Sequence, residues 1–90
     1  MDTLPHKLRK NGYDYTIVCR GKKSVIYRQG MGENLIAFEV FLIHIRPEKN
    51  IKGKILPVKE KFPSNEDFGY SSWTYWTLEQ AMEKFNEIER

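Results

Sequence analysis

The chain has 90 residues, with 15 Lys and Arg against 12 Asp and Glu, and therefore a formal net charge of +3. Apolar residues make up 40% of the sequence and aromatic residues 13%, a composition typical of a folded globular domain and not of a disordered or fibrous chain. This length predicts a single domain, 1–90, with a thin core in which large aromatic side chains supply much of the buried area.

Several kinds of site are excluded by what the sequence lacks. No apolar run approaches the roughly 20 residues that cross a bilayer, and the first residues do not resemble a signal peptide, so we expect a soluble, cytoplasmic protein without membrane contact. Cys19 is the single cysteine, which rules out an internal disulfide. Together with His6 and His44 it cannot complete a four-ligand zinc site, and we expect neither a metal nor a cofactor.

The first half of the chain predicts a hairpin. In the basic N-terminal segment, 1–12, residues from Thr3 onwards are expected to form one helical turn that ends at Asn11-Gly12. From Tyr13 apolar residues alternate with polar ones, which indicates a strand. A loop over 21–23 would place Cys19 opposite Val25 and Ile17 opposite Tyr27.

The middle of the chain predicts two further strands, so that antiparallel strands span 13–62. Residues 30–34 are rich in turn formers, and the apolar run 35–46 is typical of a central strand. The segment 54–62 should return as an edge strand, because Pro57 has no N–H to donate to a ladder. Glu39 is expected to face solvent on the open side of the sheet; if buried, it would need Arg20, Arg28 or Tyr27 as a partner.

The last element is predicted to be an amphipathic helix over 77–90. Thr77 and Gln80 have the spacing of a capping box. Apolar residues recur at helical spacing on one face. They are Leu78, Ala81, Met82, Phe85 and Ile88. The expected fold is therefore α+β, an antiparallel sheet of about four strands with one C-terminal helix packed on one face.

The segment 63–76 forms an aromatic loop in this prediction. One interpretation is structural: the loop is anchored on the core and an extended stretch, 71–76, turns Trp73 and Tyr75 inward beside the last helix. The other interpretation is an exposed cluster, Tyr70, Trp73 and Trp76, that contacts a partner. Both remain open from the sequence.

The order YDYTIVCRGKKSVIYRQ, AFEVFLIHIR and KEKFPSNEDFG, followed by a Trp and a closing helix, resembles small uncharacterised proteins of bacteriophages and mobile elements of gut Bacteroides-type bacteria. The resemblance covers about 13–90 and implies a phage-like origin, without implying an activity or any functional residue. Three strands followed by a helix entered through Thr-Leu-Glu-Gln-Ala also look like the small DNA-binding domains at the N-termini of phage-type integrases.

No nucleophile with a base, carboxylate pair or metal cluster can be recognised, so the sequence predicts a non-enzymatic binding protein. Its expected partner is a protein, with the chain acting on a host protein in the host cytoplasm or as a minor virion component. The alternative is nucleic-acid binding by the basic hairpin face. In that alternative Tyr15 or Tyr27 stacks on bases, and four cations contact phosphates. These are Arg20, Lys22, Lys23 and Arg28.

Overall fold

The computed structural model describes residues 3–61 and 71–90, which form nine strands and one helix. The strands are β1 (Lys7–Lys10), β2 (Tyr13–Arg20), β3 (Ser24–Met31), β4 (Asn34–Leu42), β5 (His44–Arg46), β6 (Lys49–Ile51), β7 (Lys54–Leu56), β8 (Lys59–Lys61) and β9 (Ser72–Tyr75). The helix is α1 (Leu78–Glu89). Five strands pair antiparallel in the order β1-β2-β3-β4-β9, and α1 packs against this sheet, which confirms the predicted α+β fold with one strand more than expected.

At the N-terminal edge of the sheet a strand replaces the helical turn that was predicted there. Strand β1 pairs with the start of β2 through a two-residue connection, Asn11-Gly12, so the prediction of a helical turn was wrong. Both residues have positive φ, 55° for Asn11 and 83° for Gly12, as a type I′ hairpin turn requires. Asn-Gly is the favoured pair at these positions, since both residues tolerate the left-handed region.

A β-bulge in β2 changes the predicted face of two residues. The 21–23 loop and the pairing of Ile17 with Tyr27 are as predicted, but the register shifts between Ile17 and Cys19. Cys19 therefore lies opposite Ile26 and packs on the side of the helix. Because one extra residue reverses the alternation of side chains, Arg20 turns to the opposite face of the sheet.

The sheet buries apolar side chains on both faces. One face carries an aromatic cluster in which Tyr27 stacks on Phe41, with ring centroids 5.5 Å apart, and meets Tyr15 edge-on. Leu4 and Val25 belong to this cluster. The other face is covered by α1, with five buried residues at the contact. These are Ile26, Phe38, Val40, Ala81 and Phe85. Burial on both faces explains why consecutive residues are apolar at 25–27 in β3 and at 40–42 in β4.

Glu39 departs from its predicted exposure. It lies on the aromatic face of β4, opposite Tyr27 on β3 and Thr74 on β9, and is buried. The expectation that it faces solvent was therefore wrong. Burial raises the pKa of the Glu39 carboxyl, and the positive charge of Lys10 opposes this rise.

The N-terminus of α1 is capped as the sequence predicts. Thr77 is extended, and its Oγ1 accepts a hydrogen bond from the backbone N–H of Gln80 at 3.2 Å. This bond satisfies one of the amides that have no partner within the first turn of a helix. Downstream, Ala81 and Phe85 are buried, whereas Leu78 in the first turn is exposed.

Replacing Thr77 with Ala should lower the free energy of unfolding by about 1 kcal/mol, because the Gln80 amide loses its acceptor. Thr77→Ser retains a hydroxyl and serves as the control. Urea unfolding followed by circular dichroism measures both changes. Equal losses for the two variants would show that the hydroxyl does not cap this helix.

Candidate functional site

The chain leaves the main sheet after β4 and forms a separate ribbon, His44–Lys61, which we call the arm. Strand β5 pairs with β8, and β6 pairs with β7, in two small ladders that are not part of the five-stranded sheet. Two predictions are thereby corrected. The apolar run 35–46 is divided at Ile43, and the segment 54–61 is not an edge strand of the sheet but the returning half of the arm; Phe62 lies outside the described residues.

The two ladders of the arm belong to one hairpin, because they share the same register. Pairing is interrupted between Arg46 and Lys49 on one strand and between Leu56 and Lys59 on the other. Pro47 and Pro57 lie in these gaps, and proline has no N–H to donate to a ladder. The tip is a two-residue connection between Ile51 and Lys54, whose central residues, Lys52 and Gly53, both have positive φ. This is again the geometry of a type I′ turn.

The arm makes the molecule elongated. The Cα radius of gyration is 14.1 Å, above the approximately 12 Å expected of a compact domain of this length. The principal extents are 46 × 33 × 22 Å. Eight residues in each half of the hairpin give the arm a length of about 25 Å.

Positive charge is concentrated on the arm. Its 18 residues include six Lys or Arg and two Glu, so the arm alone has a net charge of +4, against +3 for the whole chain. The remainder of the protein is therefore slightly acidic. The six cations are Arg46, Lys49, Lys52, Lys54, Lys59 and Lys61.

The base of the arm has one face formed entirely by basic side chains, which we call the basic face (His44, Arg46, Lys59 and Lys61). Residues directly opposite in an antiparallel pair share a face, and His44 is opposite Lys61 while Arg46 is opposite Lys59. None of the salt bridges between described residues involves these side chains. The Arg46 guanidinium donates to the carbonyl oxygen of Pro57 at 3.1 Å, while its buried Nε has no partner in the described structure.

The opposite face of the arm base is attached to the sheet through Glu60. Arg20 donates two hydrogen bonds to the Glu60 carboxylate, one to each oxygen, and the backbone N–H of Leu4 donates to Glu60 Oε1 at 2.8 Å. We call this arrangement the clasp (Leu4, Arg20 and Glu60). The hydrogen bonds from Arg20 are the main reason that the pKa of Glu60 is lowered despite its burial. The clasp holds Glu60 towards the core and so directs the basic face away from it.

The tip of the arm exposes apolar side chains. Ile51 and Ile55 have 51% and 65% of their surface accessible, and Ile45 near the base is also exposed. Isolated two-stranded hairpins are marginally stable in water, and exposed isoleucines on such a ribbon are unfavourable for solubility. A surface that combines exposed isoleucine with unpaired cations is typical of a binding element.

The basic hairpin face predicted from the sequence is not assembled. Arg20 and Arg28 lie on opposite faces of the sheet because of the bulge, and Arg20 is held in the clasp. Lys22 and Lys23 are on the turn, where their backbone amides donate to the Glu89 carboxylate at the end of α1. A hydrogen bond from the Ser24 hydroxyl, together with these backbone hydrogen bonds, lowers the pKa of Glu89. The four predicted residues therefore do not form one surface.

The proposed stacking role of Tyr15 or Tyr27 is also corrected. Both rings are buried in the aromatic cluster and contact each other, and Tyr27 donates its hydroxyl to the carbonyl oxygen of Pro5. Burial raises the pKa of Tyr27 to about 12. Neither ring presents a face on which a base could stack.

The predicted aromatic cluster is divided. Trp73 and Tyr75 lie on β9, which is extended as predicted but pairs with β4 as an edge strand of the sheet instead of belonging to a loop. Tyr75 packs with the helix-side core, and Lys84 Nζ lies 4.2 Å above the Trp73 ring. Trp76 instead has 75% of its surface exposed. Tyr70 lies outside the described residues. The structural interpretation thus holds for Trp73 and Tyr75, whereas Trp76 is available to a partner.

The other side chains that could take part in catalysis or metal binding do not come together in one site. Cys19 packs with the helix-side cluster, and His44 is exposed on the arm instead of occupying an apolar strand of the sheet. Within residues 3–61 and 71–90 no three His, Cys, Asp or Glu side chains converge to hold a metal ion. In the same part of the chain no helix is both long and apolar enough to cross a membrane.

Comparison with known proteins returns no match to a family model, to a curated protein or to a solved structure. The functional argument therefore depends on the geometry of the arm.

Proposed function

We propose that this chain is a non-enzymatic nucleic-acid-binding protein that contacts the phosphate backbone with the basic face of its arm. The observation that supports this proposal is the grouping of basic side chains across the β5–β8 ladder, in which the cations Arg46 and Lys59 are directly opposite each other and Lys61 is opposite His44. Like charges directly opposite destabilise a ladder, so their presence on a protruding ribbon favours a function that requires them. A polyanion neutralises this repulsion when it binds.

Solubility is the competing explanation for lysines on a ribbon with unpaired edges, since charge on edge strands prevents aggregation. Scattered lysines would serve that purpose without facing one another. The basic side chains of β5 and β8 are instead grouped on the face opposite Glu60, where they form a continuous surface, as phosphate contacts require. The separation between a basic arm and a slightly acidic body also favours binding in one orientation.

The double substitution Lys59→Ala and Lys61→Ala should weaken binding and reduce its salt dependence. Log affinity falls with log salt, and losing two phosphate contacts should make this slope shallower by about 1.4 to 1.8. Fluorescence anisotropy with labelled DNA and RNA, from low to physiological salt, measures the slope. Both lysines are exposed, so their loss should not lower the melting temperature.

The matched control is Lys22→Ala with Lys23→Ala, which removes the same charge from the turn predicted from the sequence. Its slope should equal that of the wild type. A reduced slope in this control, with an unchanged slope in the arm variant, would show that the phosphate contacts are made by the 21–23 turn and not by the arm. Absence of wild-type binding at low salt would contradict nucleic-acid binding altogether.

A second candidate function is contact with a protein partner, in the host cytoplasm or in a virion. The exposed Trp76 favours it, because a large aromatic side chain beside the exposed Leu78 has the character of an interface anchor. This candidate does not use the charge of the arm. It would become the leading proposal if the wild-type protein did not bind nucleic acid at low salt.

A further inference from the structure

The tip of the arm differs in chemistry from its base. Strands β6 and β7 place Asn50 directly opposite Ile55, so these two side chains share one face of the ribbon with their Cβ atoms about 5 Å apart. Both residues are exposed. An amide beside an aliphatic group is not a phosphate site, since phosphates are bound by cations and N–H groups.

This pair of side chains matches the major-groove edge of an A·T base pair. Adenine presents N7 as an acceptor and N6 as a donor there, and a carboxamide such as that of Asn can bind both at once. Thymine presents its 5-methyl group beside them, and apolar side chains contact that methyl. Asn50 therefore has the chemistry for adenine, and Ile55 has the chemistry for the thymine of the same pair.

The dimensions of the arm also fit the major groove. The groove of B-form DNA is about 12 Å wide and about 8.5 Å deep, and it admits a two-stranded β-ribbon. The arm is about 25 Å long, so its tip reaches the base edges while the basic face at its base stays near the phosphates. Lys52 in the turn and Lys54 directly after it would then lie close to the flanking backbone.

Resting on the nucleic-acid binding proposed above, we infer that the arm enters the major groove of duplex DNA and recognises A·T pairs through Asn50 and Ile55. Asn50 donates to adenine N7 and accepts from adenine N6. Ile55 packs against the thymine methyl group. The major groove of duplex RNA is too deep and narrow for side chains to read, so recognition is restricted to DNA.

The experiment compares four labelled duplexes of equal length by fluorescence anisotropy with the full chain. These are an A·T-rich DNA, the same DNA with uracil in place of thymine, a G·C-rich DNA and a duplex RNA. The A·T-rich DNA should bind at least about fivefold more tightly than the G·C-rich DNA. Loss of the thymine methyl should weaken binding several-fold, and the RNA should bind more weakly than the A·T-rich DNA.

Two variants assign these preferences to their residues. Ile55→Ala should bind the thymine and uracil duplexes equally, and Asn50→Ala should lose the preference for A·T over G·C. Neither should change the salt slope, because neither removes a charge. Asn34→Ala and Leu35→Ala, an exposed Asn and an exposed apolar residue on the β3–β4 hairpin, are the matched controls and should retain both preferences.

The outcomes separate this inference from the proposal on which it rests. Equal wild-type affinity for thymine and uracil duplexes, or for A·T-rich and G·C-rich DNA, would overturn base recognition at the tip. Duplex RNA bound as tightly as DNA would do the same. If Lys59→Ala with Lys61→Ala still reduced the salt slope, backbone binding by the basic face would stand. No binding of any duplex at low salt would overturn both.

Discussion

Truncation of Phe85 to Ala is expected to lower the free energy of unfolding by about 3 to 5 kcal/mol. Phe85 is buried in the middle of α1 and contacts the sheet within the cluster that contains Ile26, Phe38 and Val40. Removing the ring leaves a cavity between helix and sheet that rigid strands can fill only in part. A domain of this size has a total stability of about 5 to 13 kcal/mol, so the variant should be largely destabilised.

Urea unfolding monitored by circular dichroism and tryptophan fluorescence tests this expectation. Leu78→Ala is the control, because Leu78 is an apolar residue of the same helix that is exposed, and its loss should change stability little. A urea midpoint for Phe85→Ala equal to that of the wild type would mean that α1 does not pack on the sheet as described.

Replacement of Glu60 by Gln should destabilise the protein by about 1.5 to 3 kcal/mol at neutral pH, the range for hydrogen bonds to charged groups. Glu60 is buried and is the shared acceptor of the clasp, whereas Gln has a single acceptor oxygen for the donors from Arg20 and Leu4. The partial exposure of the Arg20 guanidinium keeps the effect below that of a fully buried ion pair.

The effect of Glu60→Gln should depend on pH in one direction. The pKa of Glu60 is lowered in the folded state, so the ionised carboxylate stabilises the protein above the unfolded pKa, about 4.3. That contribution is lost as the pH falls through the folded pKa. The difference in melting temperature between wild type and variant should therefore be greatest at neutral pH and diminish in acid.

Glu48→Gln is the control for this pH dependence, since Glu48 is an exposed carboxylate of the same arm. The Glu48→Gln variant should have the same stability as the wild type at neutral pH and the same loss of stability in acid. If the difference in melting temperature between wild type and Glu60→Gln stayed constant down to pH 3, the clasp would not be the origin of the effect.

Local patterns predicted the parts of the fold that depend on neighbouring residues. The Thr77 cap and the position of Phe85 on the apolar stripe of α1 follow from spacing within one helix. The 21–23 loop likewise follows from turn formers between two alternating segments. The Asn11-Gly12 turn was equally local, but it was interpreted as the end of a helix although Asn-Gly is a strong hairpin signal.

The candidate site was predictable only in part. The Lys-rich composition of 44–61 and its two prolines are visible in the sequence, and Gly53 indicates a turn. The sequence does not show that the two halves of the arm pair with each other instead of extending the main sheet, because strand pairing depends on contacts throughout the fold. That Pro47 and Pro57 lie in the same gap between the two ladders can be recognised only once the register is known.

By itself, then, the sequence determined an antiparallel sheet with an amphipathic helix, since hydrophobic periodicity and capping act over a few residues. Tertiary structure decided which side chains face which way. One bulged residue in β2 moves Arg20 to the face where Glu60 holds it, and the same clasp directs Arg46, Lys59 and Lys61 outward. Side chains alternate between the two faces of a strand, so a single inserted residue moves the following side chains to the other face. For this reason the predicted basic hairpin face is not assembled, and the basic surface is found on the arm.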